Sequence, residues 1–182
     1  DIPTFMTSSG IDKTNLRQYV EKVTIEKGIK CRCIRCREAG VSTIKNNNVN
    51  INNVIKNIKI KIIEYKASKG KEFFIAAENP KTDVLFGYCR LRFPSQFLRT
   101  EITKDSALIR ELHIYSLAVP IGKKSKESFQ HRGIGKKLLK KAEEIAKQNG
   151  KNKVVVISGI GAREYFRKLN YKLEGPYMVK QI

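Results

Sequence analysis

Two short constellations carry residue types able to do chemistry. In the first, Phe129-Gln130-His131-Arg132-Gly133-Ile134-Gly135-Lys136, a Q-x-x-G-x-G turn opens an amphipathic segment over 136–147. A glycine-bearing turn at the start of a helix aims several free backbone N–H groups at one point, where the helix dipole also favours negative charge. Without a Cβ at Gly133 and Gly135, a bulky anion can come down onto the backbone itself. Residues 130–136 therefore read as a pyrophosphate cradle built mainly of main chain, with Arg132 or Lys136 adding charge.

The second constellation is Cys31-x-Cys33-x-x-Cys36, three of the four cysteines. They stand too close in sequence for relaxed disulfides with one another. Thiolates at this spacing can converge on one tetrahedral Zn²⁺, leaving one ligand to come from elsewhere. Cys89 is the first choice for that ligand, and His113 and His131, the two imidazoles of the chain, are the alternatives. Against this, Cys89 shares a strand face with Leu91 and Phe93, and free cysteine is a common core residue. Both readings of Cys89 stay open at this point.

Holding these groups requires a frame, and the hydrophobic pattern supplies one. Leu16, Tyr19, Val20, Val23 and Ile25 recur at helical spacing over 14–28, with Thr14 as cap. The asparagines at 46–48, 52 and 53 mark a loop, and Ile58-Lys59-Ile60-Lys61-Ile62 alternates as a half-buried strand. Residues 72–78 and 84–93 form an antiparallel hairpin around Asn79-Pro80-Lys81-Thr82-Asp83, and a polar break at 94–107 precedes a strand over 108–119. The lysine-bearing loop 121–128 leads to the glycine turn, and a helix over 133–148 stops at Asn149-Gly150. A buried strand at 154–157, a turn at 158–161, a short helix at 162–168 and a final strand over 171–181 complete the chain. No internal repeat is visible.

The 182 residues are enough for one domain with a real core and a small appendage. Lys plus Arg number 37 against 17 Asp plus Glu, a net charge of +20 spread along the whole chain, which predicts attraction to a polyanion such as nucleic acid. No run approaches the roughly 20 apolar residues of a membrane span, and the start, Asp1-Ile2-Pro3-Thr4, has no basic n-region or apolar h-region of the kind a secretion signal carries. A cytoplasmic piece of a longer protein, without a membrane partner, is the expectation.

The glycine turn, with a strand before it and a helix after it, resembles the acetyl-CoA site of the GNAT acetyltransferases, and that likeness covers 72–182. Further stretches narrow it: Cys31-Arg32-Cys33-Ile34-Arg35-Cys36-Arg37-Glu38, Arg110-Glu111-Leu112-His113-Ile114-Tyr115, Phe129-Gln130-His131, Ile157-Ser158-Gly159, Tyr165-Phe166-Arg167-Lys168 and Gly175-Pro176-Tyr177-Met178-Val179-Lys180. Together with the start at Asp1, they resemble the C-terminal part of the Elongator catalytic subunit family in its archaeal or bacterial form. The resemblance implies an α/β (α+β) GNAT-type fold, with a mixed, mostly antiparallel sheet flanked by helices. It also implies a helix plus cysteine-rich, zinc-binding linker at 1–44 and an acetyl-CoA-binding domain at 45–182.

What that family does sets the functional expectation: tRNA-triggered cleavage of acetyl-CoA and modification of the anticodon's wobble uridine at C5. A radical-SAM domain with its iron–sulfur cluster and S-adenosylmethionine, outside these residues, supplies the radical. Backbone of Leu112, His113 and Ile114 would bind the pantetheine arm and acetyl carbonyl, on what is also an ordinary core strand. Glu111 would be general base or water-positioning group, or an ion-pair partner of Arg110 or a lysine. His113 would shuttle a proton, or be structural beside Tyr115. Tyr165, next to Phe166 in the cofactor site, would protonate the leaving thiolate, against a packing role with Phe166 and Tyr171. Arg90, Arg92, Arg99 and the lysines near 56–61 are candidate contacts to tRNA phosphates. Expected partners are tRNA through its anticodon stem-loop, acetyl-CoA, the radical-SAM domain and, as an option, a second copy in a homodimer. Two other functions compete: a protein lysine acetyltransferase, disfavoured because a +20 chain repels basic substrates, and a zinc-stiffened RNA-binding module with a vestigial pocket.

Overall fold

A computed structural model describes residues 14–41, 57–115 and 133–182. The expected asparagine loop, the domain boundary near 44, the lysine-bearing loop, the end of the 108–119 strand, and Gln130, His131 and Arg132 lie outside them. Chain contacts divide the molecule into two units, one ending at Cys36 and one running over 37–182.

In the first unit, helix α1 (Leu16–Glu26) follows the expected spacing, but its N-cap is Asn15 and not Thr14, with no capping bond from its side chain. The apolar residues Leu16, Tyr19, Val20, Val23 and Ile25 all remain exposed. The short helix α2 (Ile34–Arg37) carries the last cysteine of the cluster.

The second unit is a seven-stranded sheet in the order β1-β2-β3-β4-β5-β7-β6. Its strands are β1 (Lys59–Ala67), β2 (Gly70–Asn79), β3 (Val84–Phe93), β4 (Ser106–Ile114), β5 (Lys153–Val156), β6 (Lys172–Glu174) and β7 (Tyr177–Gln181). The β4–β5 pair is parallel and every other pair is antiparallel. That parallel pair needs a crossover, which helix α3 (Ile134–Gln148) provides. A 3-10 turn (Ile160–Ala162) and helix α4 (Arg163–Arg167) follow β5.

The hairpin turn is as expected: the Asn79 side chain accepts from Lys81 and Thr82 N–H groups at 2.9 and 3.2 Å. Three expectations change. The isoleucine alternation is not half-buried, because β1 is the sheet edge and Ile60, Ile62 and Ile63 stay exposed. The single final strand is two, since Gly175 turns the chain with φ +54 between β6 and β7. The hairpin of β2 and β3 is also irregular. Register shifts at Ala77/Glu78, so that Phe86 and Cys89, three apart, both face the core.

Helix α3 lays Ile134, Leu138, Leu139, Ala142, Ile145 and Ala146 on the sheet. They meet Phe73, Ile75 and Ala77 of β2, Cys89 and Leu91 of β3, and Ile109 of β4 in one core. At about 1.5–3 kcal/mol for each large apolar side chain fully buried, this layer dominates the stability of the unit.

Candidate active site

The strand before the glycine turn is paired unevenly. Leu108 and Ile109 of β4 pair with β3 on one side, and residues 106–109 pair with Lys153–Val156 of β5 on the other. β5 then ends, and the Ile157 N–H makes a last bond to Ile109 O at 3.1 Å. From Arg110 to the strand end at Ile114, the second edge of β4 has no strand partner among the described residues. Buried backbone polar groups need partners, so such an edge suits an extended, amide-bearing ligand. Leu112, His113 and Ile114, expected to present backbone to a pantetheine arm, lie on this open half.

The start of α3 faces the same opening. Gly133 adopts the left-handed conformation, φ 73°, and its C=O accepts from Lys137 N–H at 3.0 Å. Among the described residues no side chain caps the helix, and its first turn holds no acid, only Lys136 and Lys137. Free N–H donors and two cations at the positive end of the dipole are unfavourable together unless an anion binds there. Ile134 is buried and fixes the turn against the sheet.

Gly135 brings in Tyr165. A Cβ on Gly135 would lie 2.9 Å from the Tyr165 hydroxyl oxygen and 3.6 Å from Ile114 Cγ1. The phenol from α4 thus reaches the first turn of α3 beside the end of β4. Burial, then the nearby Cys89 thiol, push the Tyr165 phenol above its ordinary value, so it stays protonated at neutral pH. The ring also packs edge-on against Phe166 at 5.3 Å. Phe166 itself is buried in the core with Tyr171, so its side chain supports Tyr165 from behind.

Glu111 accepts hydrogen bonds from Tyr88 Oη at 2.7 Å and Arg90 Nη1 at 3.0 Å. Its ion-pair partner is Arg90, not Arg110 or a lysine. His113 is exposed, with its ring 6.0 Å from Tyr88 and 4.8 Å from Tyr115. Arg110 turns instead to Glu72, a carboxylate only 1% exposed that also accepts from Arg92, Arg90 and the Tyr65 hydroxyl at 2.7–3.3 Å. Burial alone would raise the Glu72 carboxyl, but donation from Arg92, Tyr65, Arg110 and Arg90 outweighs it and holds it down at about 2. Sequence reading passed over Glu72. Its one signal is a lone acid at a strand start facing arginines on two neighbouring strands. Arg90 and Arg92 are committed to this network, which removes them as free tRNA contacts; Arg99 and Lys61 remain exposed.

A family model described as acetyltransferase (GNAT) family matches residues 52–171. The chain belongs to the GNAT acetyltransferase family. GNAT acetyltransferases use acetyl-CoA. The chain is 45% identical, over 184 residues and its whole length, to the tRNA uridine(34) acetyltransferase of Methanocaldococcus jannaschii, of which it covers 34%. It is 38% identical over 186 residues to Elongator complex protein 3 of Homo sapiens, again over its whole length and 33% of that protein. The solved archaeal Elp3 of Methanocaldococcus infernus, with an N-terminal deletion, superposes with a TM-score of 0.86 at 42% identity, covering all of this chain and 42% of that one. The chain thus spans about a third of the length of the curated relatives it matches.

The other unit of this GNAT chain carries the cysteine cluster. The sulfurs of Cys31, Cys33 and Cys36 lie within 4.8 Å of one another, a spacing that fits thiolates around one tetrahedral ion. Arg17 Nη2 of α1 approaches Cys36 Sγ at 3.5 Å and Cys33 Sγ at 3.9 Å. The Cys36 backbone N–H, the Cys31 and Cys36 side chains and Arg17 together lower the Cys33 thiol to about 6. Burial and the neighbouring cysteines push Cys36 up to about 11. Among the described residues the metal-binding group is these three alone. Cys89 is fully buried in the core of the sheet unit, where burial raises its thiol to about 12. The packing reading of Cys89 is the one its surroundings support.

Proposed function

We propose that this chain is the acetyl-CoA-binding acetyltransferase part of an enzyme that modifies the wobble uridine of tRNA, acting with a radical-SAM domain. The observation that carries the reading is the likeness, along the whole chain, to a tRNA uridine(34) acetyltransferase, falling on a site with an open strand edge and an uncapped helix start. Acetyl-CoA, when bound, supplies an activated acetyl thioester. The open half of β4 aligns the arm through its backbone, and the N–H groups opening α3 hold the pyrophosphate. Tyr165, still protonated, gives its proton to the departing sulfur. Glu111, with Tyr88 and Arg90 on its two oxygens, acts as an oriented acceptor that positions water or substrate. His113 lines the same opening.

Cys31, Cys33 and Cys36 would hold Zn²⁺ as a structural ion. Elemental analysis of the purified chain checks this, and a metal-free protein would end the claim. The site would operate in the cytoplasm on the anticodon stem-loop of tRNA, met by the exposed lysines and Arg99.

The deciding experiment measures free CoA released from acetyl-CoA with the chain alone, with tRNA and with a basic peptide. Release stimulated by tRNA is expected. Stimulation by the peptide and not by tRNA would overturn the reading in favour of a protein acetyltransferase.

A further inference from the structure

The face of the sheet that turns away from α3 carries a row of rings. Phe73 and Ile75 of β2, Cys89 and Leu91 of β3, and Leu112 and Ile114 of β4 all pack into the core under α3. By strand alternation Phe74, Tyr88 and His113 occupy the opposite face. Their rings stack across three strands, Phe74 on Tyr88 at 5.1 Å and 26°, then Tyr88 on His113 at 6.0 Å and 21°. Tyr88, at the centre, is buried, and its hydroxyl is held by Glu111 at 2.7 Å. Tyr115, whose N–H bonds to Phe86 O at 2.9 Å, sets its ring 4.8 Å from His113 and tilted by 53°. His113 is thus fixed between two rings and is nevertheless exposed, on the half of β4 that β5 leaves open.

An exposed flat ring at the end of a fixed stack offers a π-face to another planar group, with little left to order on binding. The charge beside the row says what that group is attached to. Three guanidiniums, of Arg90, Arg92 and Arg110, stand against two carboxylates, of Glu72 and Glu111, an excess of one positive charge. Arg110, with its side chain 40% exposed, brings that excess to the surface at the head of the open half. A planar group on an anionic backbone fits both features, and an unpaired RNA base is such a group. The two faces also divide the work. Gly135 and Tyr165 meet β4 at Ile114, on the α3 side, whereas His113 presents its ring on the other side of the same strand.

We infer that His113 is a stacking platform for an unpaired base of the RNA substrate, the wobble uridine in the reading above, on the sheet face opposite to the cofactor. Base and acetyl thioester then reach one open strand edge from opposite faces and do not compete for space. The inference rests on the tRNA reading and gives it a positioning residue. Stacking needs only the flat ring of His113, whereas a proton shuttle needs its nitrogens, and the test separates the two.

An anticodon stem-loop RNA, intact or abasic at the wobble position, is titrated by fluorescence anisotropy against the full chain, His113→Ala and His113→Phe. The parent is expected to bind the intact stem-loop about tenfold more tightly than the abasic one. His113→Ala should bind both at the parent's affinity for the abasic form, and His113→Phe should keep the preference, because a phenyl ring stacks without a ring nitrogen. The chain contains no tryptophan, so His113→Trp places a single indole on the platform, and the intact stem-loop should quench its emission while the abasic one does not. Equal binding of the two RNAs by the parent, a preference that survives in His113→Ala or is lost in His113→Phe, or an indole that saturating intact RNA leaves unquenched overturns the platform and leaves the tRNA reading standing. A parent chain that binds neither RNA removes the tRNA reading itself, and the platform with it.

Discussion

The two halves of β4 differ in both pairing and burial. Residues 106–109, Ser-Ala-Leu-Ile, all pair with β5 and are buried throughout, and Leu108 and Ile109 pair with β3 as well. Residues 110–114, Arg-Glu-Leu-His-Ile, are half-buried or exposed, and among the described residues 111–114 pair with β3 alone. The first half works through apolar burial and an unbroken ladder to β5. The second has no β5 partner, and side-chain networks anchor it: Arg110 on Glu72, Glu111 on Tyr88 and Arg90. One strand thus turns from scaffold into site at Arg110, where β5 stops.

The comparison breaks most severely if the junction is untied. Glu72→Gln leaves Arg90, Arg92 and Arg110 around a neutral acceptor, and we expect about 2–4 kcal/mol of lost stability, moderated because the arginines reach water. The Glu72 carboxyl is held at about 2, below its ordinary value of about 4.3. A depressed carboxyl contributes stability that is present above the unfolded value and is lost as pH falls toward the folded one. Urea midpoints should therefore fall between about pH 4.3 and pH 2 in the parent, and less steeply in the variant. Unchanged midpoints would make Glu72 a bystander.

Tyr165→Phe tests the open half and spares the closed one. The ring keeps its contact with Phe166, so unfolding should not shift, whereas acetyl-CoA cleavage should drop about a hundredfold through loss of the proton donor. Cofactor affinity should hold. A full rate in Tyr165→Phe would leave the tyrosine with packing alone.

How much of this was legible in the sequence follows from what each feature depends on. The helix over 134–148 and the 70–93 hairpin are set by local periodicity, and the glycine turn by residue type, so their patterns appear in the chain directly. The exposure of Ile60, Ile62 and Ile63 was not legible, because alternation reports a strand and not whether a second layer covers it. The core position of Phe86 was hidden by the register shift in the hairpin. In the site, the turn at Gly133 was readable from residue type, whereas the open half of β4 was suggested by the family resemblance alone. The approach of Tyr165 to Gly135 was not readable, since it joins elements about 30 residues apart that only the fold brings together. Glu72 was missed because a buried acid is recognised by partners on β1, β3 and β4 that only the fold assembles.

Two smaller changes sharpen the contrast. In Gly135→Ala the new methyl meets the Tyr165 hydroxyl, the free end of a side chain able to swing away. Stability should hold or rise by up to about 1 kcal/mol, since alanine favours the helix. Cleavage should still fall about tenfold, because the phenol leaves its place beside Ile114. Normal cleavage in a folded Gly135→Ala chain would uncouple that position from the chemistry.

Glu111→Gln is the mildest change and separates two roles. A general base loses at least about a hundredfold when its carboxylate becomes an amide. An oriented acceptor keeps an oxygen for Tyr88 and Arg90 and loses only a half-exposed ion pair, worth about threefold. Both Glu111 oxygens are already occupied by donors from β3, and the side chain is 41% exposed, so the smaller effect is expected. A hundredfold loss with unchanged acetyl-CoA affinity would make Glu111 the base. The open half of β4 would then supply a reacting group in addition to the backbone that holds the cofactor.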